Sequence, residues 1–299
     1  MNIVKIYQLF PTEADCIAHL ETVRWKGKPV CPYCGAFNST PLPKEQRHHC
    51  NACKTTFSVT VGTIFHHTHL PLQKWLLAVS LVLNAKKGLS ARQVSRDLNV
   101  NKNTGWRIGM QIRKAMAERE QRELLSGVVE MDETYIGGKP RKGNIGSSGQ
   151  DGGNKSLRGR GTKKTPVVGM VERGGNVSAH VVKKDRLKAK HLSALVRRHV
   201  DVKNAILFTD EYKGYLGIKT FMPHRTVNHQ AWYVAEDGTH TNSIESFWAL
   251  LKRGIVGQYH KVSLRHLPKY IDEFSYRFNH RNMADVFDRT IARAVGVLS

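Results

Sequence analysis

Apolar positions along this chain recur in two periods, and the switch between them outlines its organisation. Steps of three and four residues mark helices, and short unbroken apolar runs closed by polar or glycine-rich breaks mark strands. Thr12 stands where it can cap a helix through about Arg24, with Ala14, Ile17, Ala18, Leu20 and Val23 on its apolar side. Leu72 to Leu83 forms a strongly apolar helix. Gly88-Leu-Ser90 breaks it, and Ser90 can cap the next helix, Ala91 to Leu98. Asn99-Val-Asn101 then turns the chain into a longer helix from Lys102 to Met116. Downstream, Val128-Val-Glu-Met-Asp132 and Ala205-Ile-Leu-Phe-Thr-Asp210 read as strands that deliver an aspartate at or near their ends. Val167 to Val171 and Val177 to Val182 read as a hairpin turning through Arg173-Gly-Gly-Asn176, and Leu187 to Val200 as a helix. Ile244, Phe247, Trp248, Leu251 and Ile255 make the buried stripe of a further helix, and residues 264–280 a last amphipathic basic one.

The order from Asp132 onward is strand, hairpin pair, helix, strand with Asp210, a variable stretch containing Val227-Asn-His229, and the helix carrying Glu245. That is the order of a ribonuclease H-like α/β fold, whose mixed sheet sets the first and fourth strands side by side. Asp132 and Asp210 would then share one opening, with Glu245 on the flanking helix. Glu245 and Lys252, seven residues apart, project from roughly the same helical side, about 10 Å apart along the axis at 1.5 Å per residue.

Three gathered carboxylates repel one another unless a cation holds them ionised, and hard oxygen ligands select magnesium or manganese. Two such ions about 3.5–4 Å apart suit phosphodiester cleavage and transfer. Plainer readings stand beside this one. Asn242 followed three residues later by Glu245 is also a helix capping box, and strand-end aspartates often start turns. His224, His229 and His240 lie close enough in sequence to contribute, although a lone histidine is more often a hydrogen-bonded bystander.

Charge narrows the partner. In 299 residues, 47 Lys and Arg face 24 Asp and Glu, a formal charge of +23, which calls for a polyanion. Double-stranded DNA fits best; an anionic membrane surface is the weaker alternative, and no lipidation motif is present. No apolar run approaches the ~20 residues needed to span a bilayer, and the N-terminal stretch lacks the order of a signal peptide. The expected location is the cytoplasm, in association with the nucleoid.

Cys31-Pro-Tyr-Cys34 and Cys50-Asn-Ala-Cys53 are two knuckles separated by 15 residues, the spacing of a tetrahedral structural zinc site. His48 and His49 adjoin Cys50 and could substitute for a ligand. Cys16 reads as a buried small hydrophobe. The two helices at 91–98 and 102–116 have a helix-turn-helix layout within a basic stretch, with Asn101, Lys102, Asn103 and Arg107 as candidate groove contacts. A plain helical hairpin with a solvated face has the same layout. Gly105 interrupts the second helix, where a better helix former is expected. Residues 137–166, with nine glycines and eight Lys or Arg, form an insertion too poor in apolar groups to order itself.

Together these residues resemble the Asp-Asp-Glu transposases of bacterial insertion sequences, in the ISXO-like group with an N-terminal zinc ribbon. The resemblance rests on Met131-Asp-Glu-Thr-Tyr-Ile-Gly-Gly138, Thr209-Asp-Glu-Tyr212, Val227-Asn-His229 and Thr241-Asn-Ser-Ile-Glu-Ser-Phe-Trp-Ala-Leu-Leu-Lys-Arg253. Cys31 to Cys53 and Gly62-Thr-Ile-Phe65 with Pro71-Leu-Gln-Lys-Trp75 add to it. It implies that Asp132, Asp210 and Glu245 are the metal triad and that Lys252 contacts DNA phosphate near the cut. It further implies binding to the inverted-repeat ends of an element, strand cleavage, attack of the freed 3′-hydroxyl on target DNA, and a homodimer or larger synaptic complex. A DNA-binding regulator with an idle core, or a ribonuclease H-like nuclease without strand transfer, are the competing functions. Three domains are expected: helix and zinc ribbon over 1–66, helix-turn-helix over 67–124, and a catalytic domain over 125–299.

Overall fold

The structure is a computed structural model that describes residues 1–117, 123–137, 164–227 and 240–297. His229 and residues 138–163 of the basic insertion lie outside the described residues. The fold is mixed α/β and divides into two compact units. One comprises Met1–Ala117 together with the chain from His280 on, and the other the intervening chain up to Asn279.

In the first unit, α1 (Ile3–Leu9) precedes α2 (Glu13–Trp25), which opens on a reciprocal capping box between Thr12 and Asp15. Strands β1 (Ser39–Leu42), β2 (Arg47–Cys50) and β3 (Thr56–Phe57) form an antiparallel ribbon in that order. The apolar helix α3 (Leu72–Asn84) buries Trp75, Leu76 and Val79. Ser90 caps α4 (Ala91–Asp97), Asn99 turns the chain at φ +48°, and Asn101 caps α5 (Lys102–Met116).

Gly105 is the pivot of that helix pair. A Cβ there would lie 2.6 Å from the Ala91 carbonyl oxygen and 3.0 Å from the Ser95 nitrogen. The glycine that looked like a weak point for helix propensity is the notch through which α4 and α5 approach backbone to backbone. The last helix, α9 (Val286–Ala294), joins this unit, burying Phe287, Thr290 and Ile291, and Ala294 accepts the Ile64 N–H at 3.1 Å. Residues 125–299 therefore do not form one continuous unit. The buried positions Phe287, Thr290, Ile291 and Ala294 define one face of a nine-residue helix, but the sequence does not say what covers it.

In the second unit a five-stranded sheet runs β6-β5-β4-β7-β8. Its strands are β4 (Leu125–Ile136), β5 (Thr165–Glu172), β6 (Val177–Val181), β7 (Val200–Asp210) and β8 (His224–Val227). β5 is antiparallel to both its neighbours, while β4, β7 and β8 are mutually parallel. The expected ribonuclease H-like adjacency of first and fourth strands is present as β4 beside β7. One face packs Val129, Met131, Met170 and Leu207 against Leu192 and Val196 of α6 (Ala189–His199). The other packs Val167 and Val171 against Ile244, Phe247, Trp248 and Leu251 of α7 (Asn242–Gly254) and Ile271 and Phe274 of α8 (Leu267–Asn279).

Strands β4, β5 and β7 outrun their expected bounds, and Asp132 is not a strand end. Its ladder with β5 continues to Ile136, whereas the parallel ladder with β7 ends at Glu130 opposite Phe208. Beyond that pair β4 continues past its parallel partner. The resulting gap lies at the carboxyl ends of parallel strands, where open α/β sheets place their ligands.

Candidate active site

Asp132 and Asp210 both stand at this gap, each two residues beyond the last parallel pair, Glu130 opposite Phe208. Alternation along β4 turns Val129 and Met131 to the α6 side and Glu130 and Asp132 to the α7 side. Asp210 ends β7 two residues beyond Phe208, on the same side by the same alternation. The Trp248 indole N–H donates to Asp132 Oδ2 at 3.1 Å. Burial pushes the Asp132 carboxyl up to about 7, the charges of Glu133 and Asp210 push the same way, and the Trp248 hydrogen bond opposes them. Beneath lies Tyr215, fully buried, whose hydroxyl donates to Glu133 at 2.6 Å. Burial and the charges of Glu133, Asp132 and Asp210 hold that phenol well above its ordinary value. Asp210 Oδ1 also accepts the Tyr212 N–H at 3.1 Å, so the aspartate does start a turn as well as face the gap. Neighbouring acids, one of them pushed up chiefly by its burial, are the donor set that a hard divalent cation fits.

Glu245 and Lys252 are both exposed and seven residues apart on α7. Among the described residues, the one group of three or more His, Cys, Asp or Glu side chains close enough to share an ion is the cysteine cluster. Asp132 and Asp210 are thus neighbours, while Glu245 stands on the helix beside them without closing a three-acid cluster. The capping-box alternative for Glu245 does not hold: the N-cap is Thr241, and no N-cap side chain makes a capping hydrogen bond.

The helix start is instead capped from the sheet, by a residue that sequence reasoning missed. Glu130, 0% exposed, accepts the N–H groups of Ser243 at 2.7 Å and Ile244 at 3.0 Å through Oε2. Its Oε1 takes the Ser243 hydroxyl at 3.0 Å and Arg173 Nε at 2.7 Å. Arg173 is held in turn by the His240 carbonyl at 2.9 Å and lies 4.7 Å from the centre of the Phe208 ring. Gly169, paired with Asp132 across the ladder, was also missed. A Cβ there would sit 2.6 Å from Trp248 Cη2 and 3.0 Å from Ile244 Cδ1, so its absence lets the indole reach Asp132. An acid inside the apolar run Val128-Val-Glu-Met-Asp132, in phase with Asp132, was the available clue to Glu130.

The remaining candidates separate cleanly. His224 Nε2 pairs with Thr209 Oγ1 at 2.9 Å, a partner within the fold, and His240 Nδ1 lies 3.3 Å from Glu130 Oε1. The sulfurs of Cys31, Cys34, Cys50 and Cys53 all lie within 4.8 Å of one another, a closed four-thiol cage of the kind that holds a structural zinc ion. His48 bonds Glu21 at 2.9 Å and packs on Phe57, so it serves the ribbon's packing and not its cage. Cys16 is fully buried, and burial raises its thiol to about 11, which leaves it inert. Lys102, Asn103 and Arg107 are exposed on the first turns of α5 beside exposed Trp106. Asn101 is exposed too, but its Oδ1 is engaged in accepting the Thr104 N–H at 2.8 Å.

Comparison with known proteins matches residues 124–279 to the ISXO2-like transposase domain and residues 11–56 to the transposase zinc-ribbon domain. An uncharacterized protein in transposable element ISH50 of Halobacterium salinarum is 28% identical over 279 residues, covering 90% of this chain and 91% of that protein. Among solved structures, the Mos1 strand transfer complex aligns at 13% identity and a TM-score of 0.31, over 75% of this chain and 78% of that one. The mariner Mos1 paired end complex with Mg aligns at 12% identity and a TM-score of 0.28, over 99% and 97%. Overlaps that low carry no argument about the arrangement of this chain.

Proposed function

The chain belongs to the ISXO2-like transposase family, whose domain spans more than half of it, and from that membership we propose a DNA transposase acting on its own element. In this reading it binds the inverted-repeat ends of an insertion sequence, hydrolyses a phosphodiester at each end and joins the freed 3′-hydroxyl to target DNA. The observation that supports it most is geometric: Asp132 and Asp210 each stand two residues beyond the last pair of the β4–β7 parallel ladder, and Asp132 is bonded to Trp248 of the helix that bears Glu245 and Lys252. The protein in transposable element ISH50 gives the self-mobilising reading a relative of matching length.

Asp132, Asp210 and Glu245 would hold magnesium or manganese, two ions in all, which when bound activate an attacking oxygen and stabilise the leaving one. The other residues act around that centre. Trp248 holds the Asp132 carboxylate in one orientation through its N–H. Lys252, on the exposed side of α7, grips the phosphate next to the cut. Lys102, Asn103 and Arg107 contact the element end, with Asn101 fixing the start of their helix. A formal charge of +23 supports this partner, and no helix among the described residues is long and apolar enough to cross a membrane. Synapsis of two ends calls for a homodimer or larger assembly, working in the cytoplasm on nucleoid DNA. The four cysteines hold a zinc ion that supports folding of the ribbon.

The test is a product assay. Purified protein, magnesium, end-bearing DNA and a target plasmid should yield target molecules covalently joined to the element's 3′ ends. Cleavage without joining would reduce the activity to that of a nuclease, and binding without either would leave a DNA-binding regulator.

A further inference from the structure

Glu130 is a charged side chain with no contact to solvent, placed two residues before Asp132 on the same face of β4. Four donors converge on its two oxygens: two backbone N–H groups and a hydroxyl from the first turn of α7, and Arg173 Nε. Only an acceptor-only group satisfies them all, because an amide in its place would turn its own N–H₂ against one pair of donors. The clamp joins two elements that carry proposed ligands by a short route, about 7 Å along β4 from Asp132 at 3.3–3.4 Å per residue. Glu245 follows Ile244 directly. A second tie, from Trp248 Nε1 to Asp132, grips α7 one turn later. Glu245 is therefore bracketed by two attachments to the same strand, which fix both the rotation of α7 and its height over the sheet.

We propose that Glu130 is a positioning residue for the metal centre: its carboxylate holds α7 in the register from which Glu245 completes the site begun by Asp132 and Asp210. This rests on the reading of those three acids as metal ligands. Arg173 belongs to the same device, since it holds Glu130 Oε1, the His240 carbonyl just before the helix, and the Phe208 ring of β7 at once. Glu130 touches neither DNA nor reacting atoms in this proposal. Its effect is on where another carboxylate stands.

The experiment uses the full chain with its zinc retained and no DNA. Mn²⁺ binding is titrated by electron paramagnetic resonance for wild type, Glu130→Gln and Glu130→Ala, alongside urea unfolding and affinity for end DNA. The proposal expects Mn²⁺ affinity to fall by about tenfold or more, in the range seen when residues that orient metal ligands are removed. End-DNA affinity should stay within about twofold, since the groove contacts lie elsewhere. A helix cap with no positioning role would lower the urea midpoint and leave the Mn²⁺ affinity of the folded protein unchanged, and that result would overturn the proposal. Should both Glu130 variants fail to fold, Ser243→Ala removes one donor and should weaken Mn²⁺ by about two- to fivefold, as loss of one net hydrogen bond allows; unchanged affinity would again overturn it. Asp132→Asn separates the two levels of argument. Mn²⁺ binding that survives Asp132→Asn defeats the ligand assignment itself, whereas binding lost there but intact in the Glu130 variants defeats only the positioning role.

Discussion

Asp132→Asn should make the protein more stable in the absence of divalent cation, and increasingly so as pH rises. The carboxyl titrates near 3.8 when unfolded, and burial with the charges of Glu133 and Asp210 lifts it to about 7 in the folded chain. An acid that holds its proton more tightly when folded favours folding most while it stays protonated, and that support drains away as pH climbs from about 4 through 7. The full difference is worth about 4 kcal/mol, an upper limit because Asp132 keeps some exposure. Between pH 5 and pH 8 the part still to be lost is about 2.5 kcal/mol. Asparagine keeps an acceptor for the Trp248 N–H and the same shape but has no charge to bury. Urea unfolding, with zinc in the ribbon and no added magnesium or manganese, should show the two proteins closest at pH 5. The variant's advantage should widen by up to about 2.5 kcal/mol at pH 8. Comparing variant with wild type cancels the other titrating groups. Parallel stability curves across that range, or a variant that loses ground with rising pH, would refute the claim that Asp132 is an acid crowded into an uncompensated site.

Three further outcomes follow from the packing and the surface. Gly169→Ala drives a Cβ to 2.6 Å from Trp248 and should destabilise the second unit by about 1–3 kcal/mol while cleavage falls with the lost indole contact; a variant with wild-type stability and rate would contradict the close fit. Cys50→Ala should lower bound zinc from about one ion per chain to none by elemental analysis and unfold the ribbon, and full retention would remove Cys50 from the cage. Arg107→Ala should weaken end-DNA binding and, if Arg107 contacts phosphate, reduce the slope of log K against log salt by about one. Unchanged affinity and slope would place the DNA contact elsewhere.

Much of this architecture is readable in the residue pattern because it is set locally. Thr12, Ser90 and Asn101 each cap the helix whose start they mark, since an oxygen three residues before an N–H acts over a single turn. The pairing of β4 with β7 follows from element order and from short apolar runs whose Val129 and Leu207 are buried on the α6 side. The residues that escaped attention act at long range. Glu130 finds its donors 43, 113 and 114 positions away, and nothing near it in sequence distinguishes a buried clamp from a solvated acid. Gly105 and Gly169 matter for what approaches them, which a propensity scale does not encode. Asp132 looked like a strand end because the apolar run stops there, yet its ladder with β5 carries on. The cysteine cage needed only its spacing, because two C-x-x-C knuckles have few other uses.

The central claim is that Asp132, Asp210 and Glu245 hold divalent cations for DNA cleavage, and ligand exchange tests it most directly. Replacing Asp132 or Asp210 with cysteine substitutes a soft thiolate for a hard carboxylate. Each variant should fail to cleave end DNA in magnesium and regain cleavage in manganese, while wild type cleaves in both. Failure in both metals alongside intact folding and end binding, or cleavage in magnesium undiminished, would contradict it.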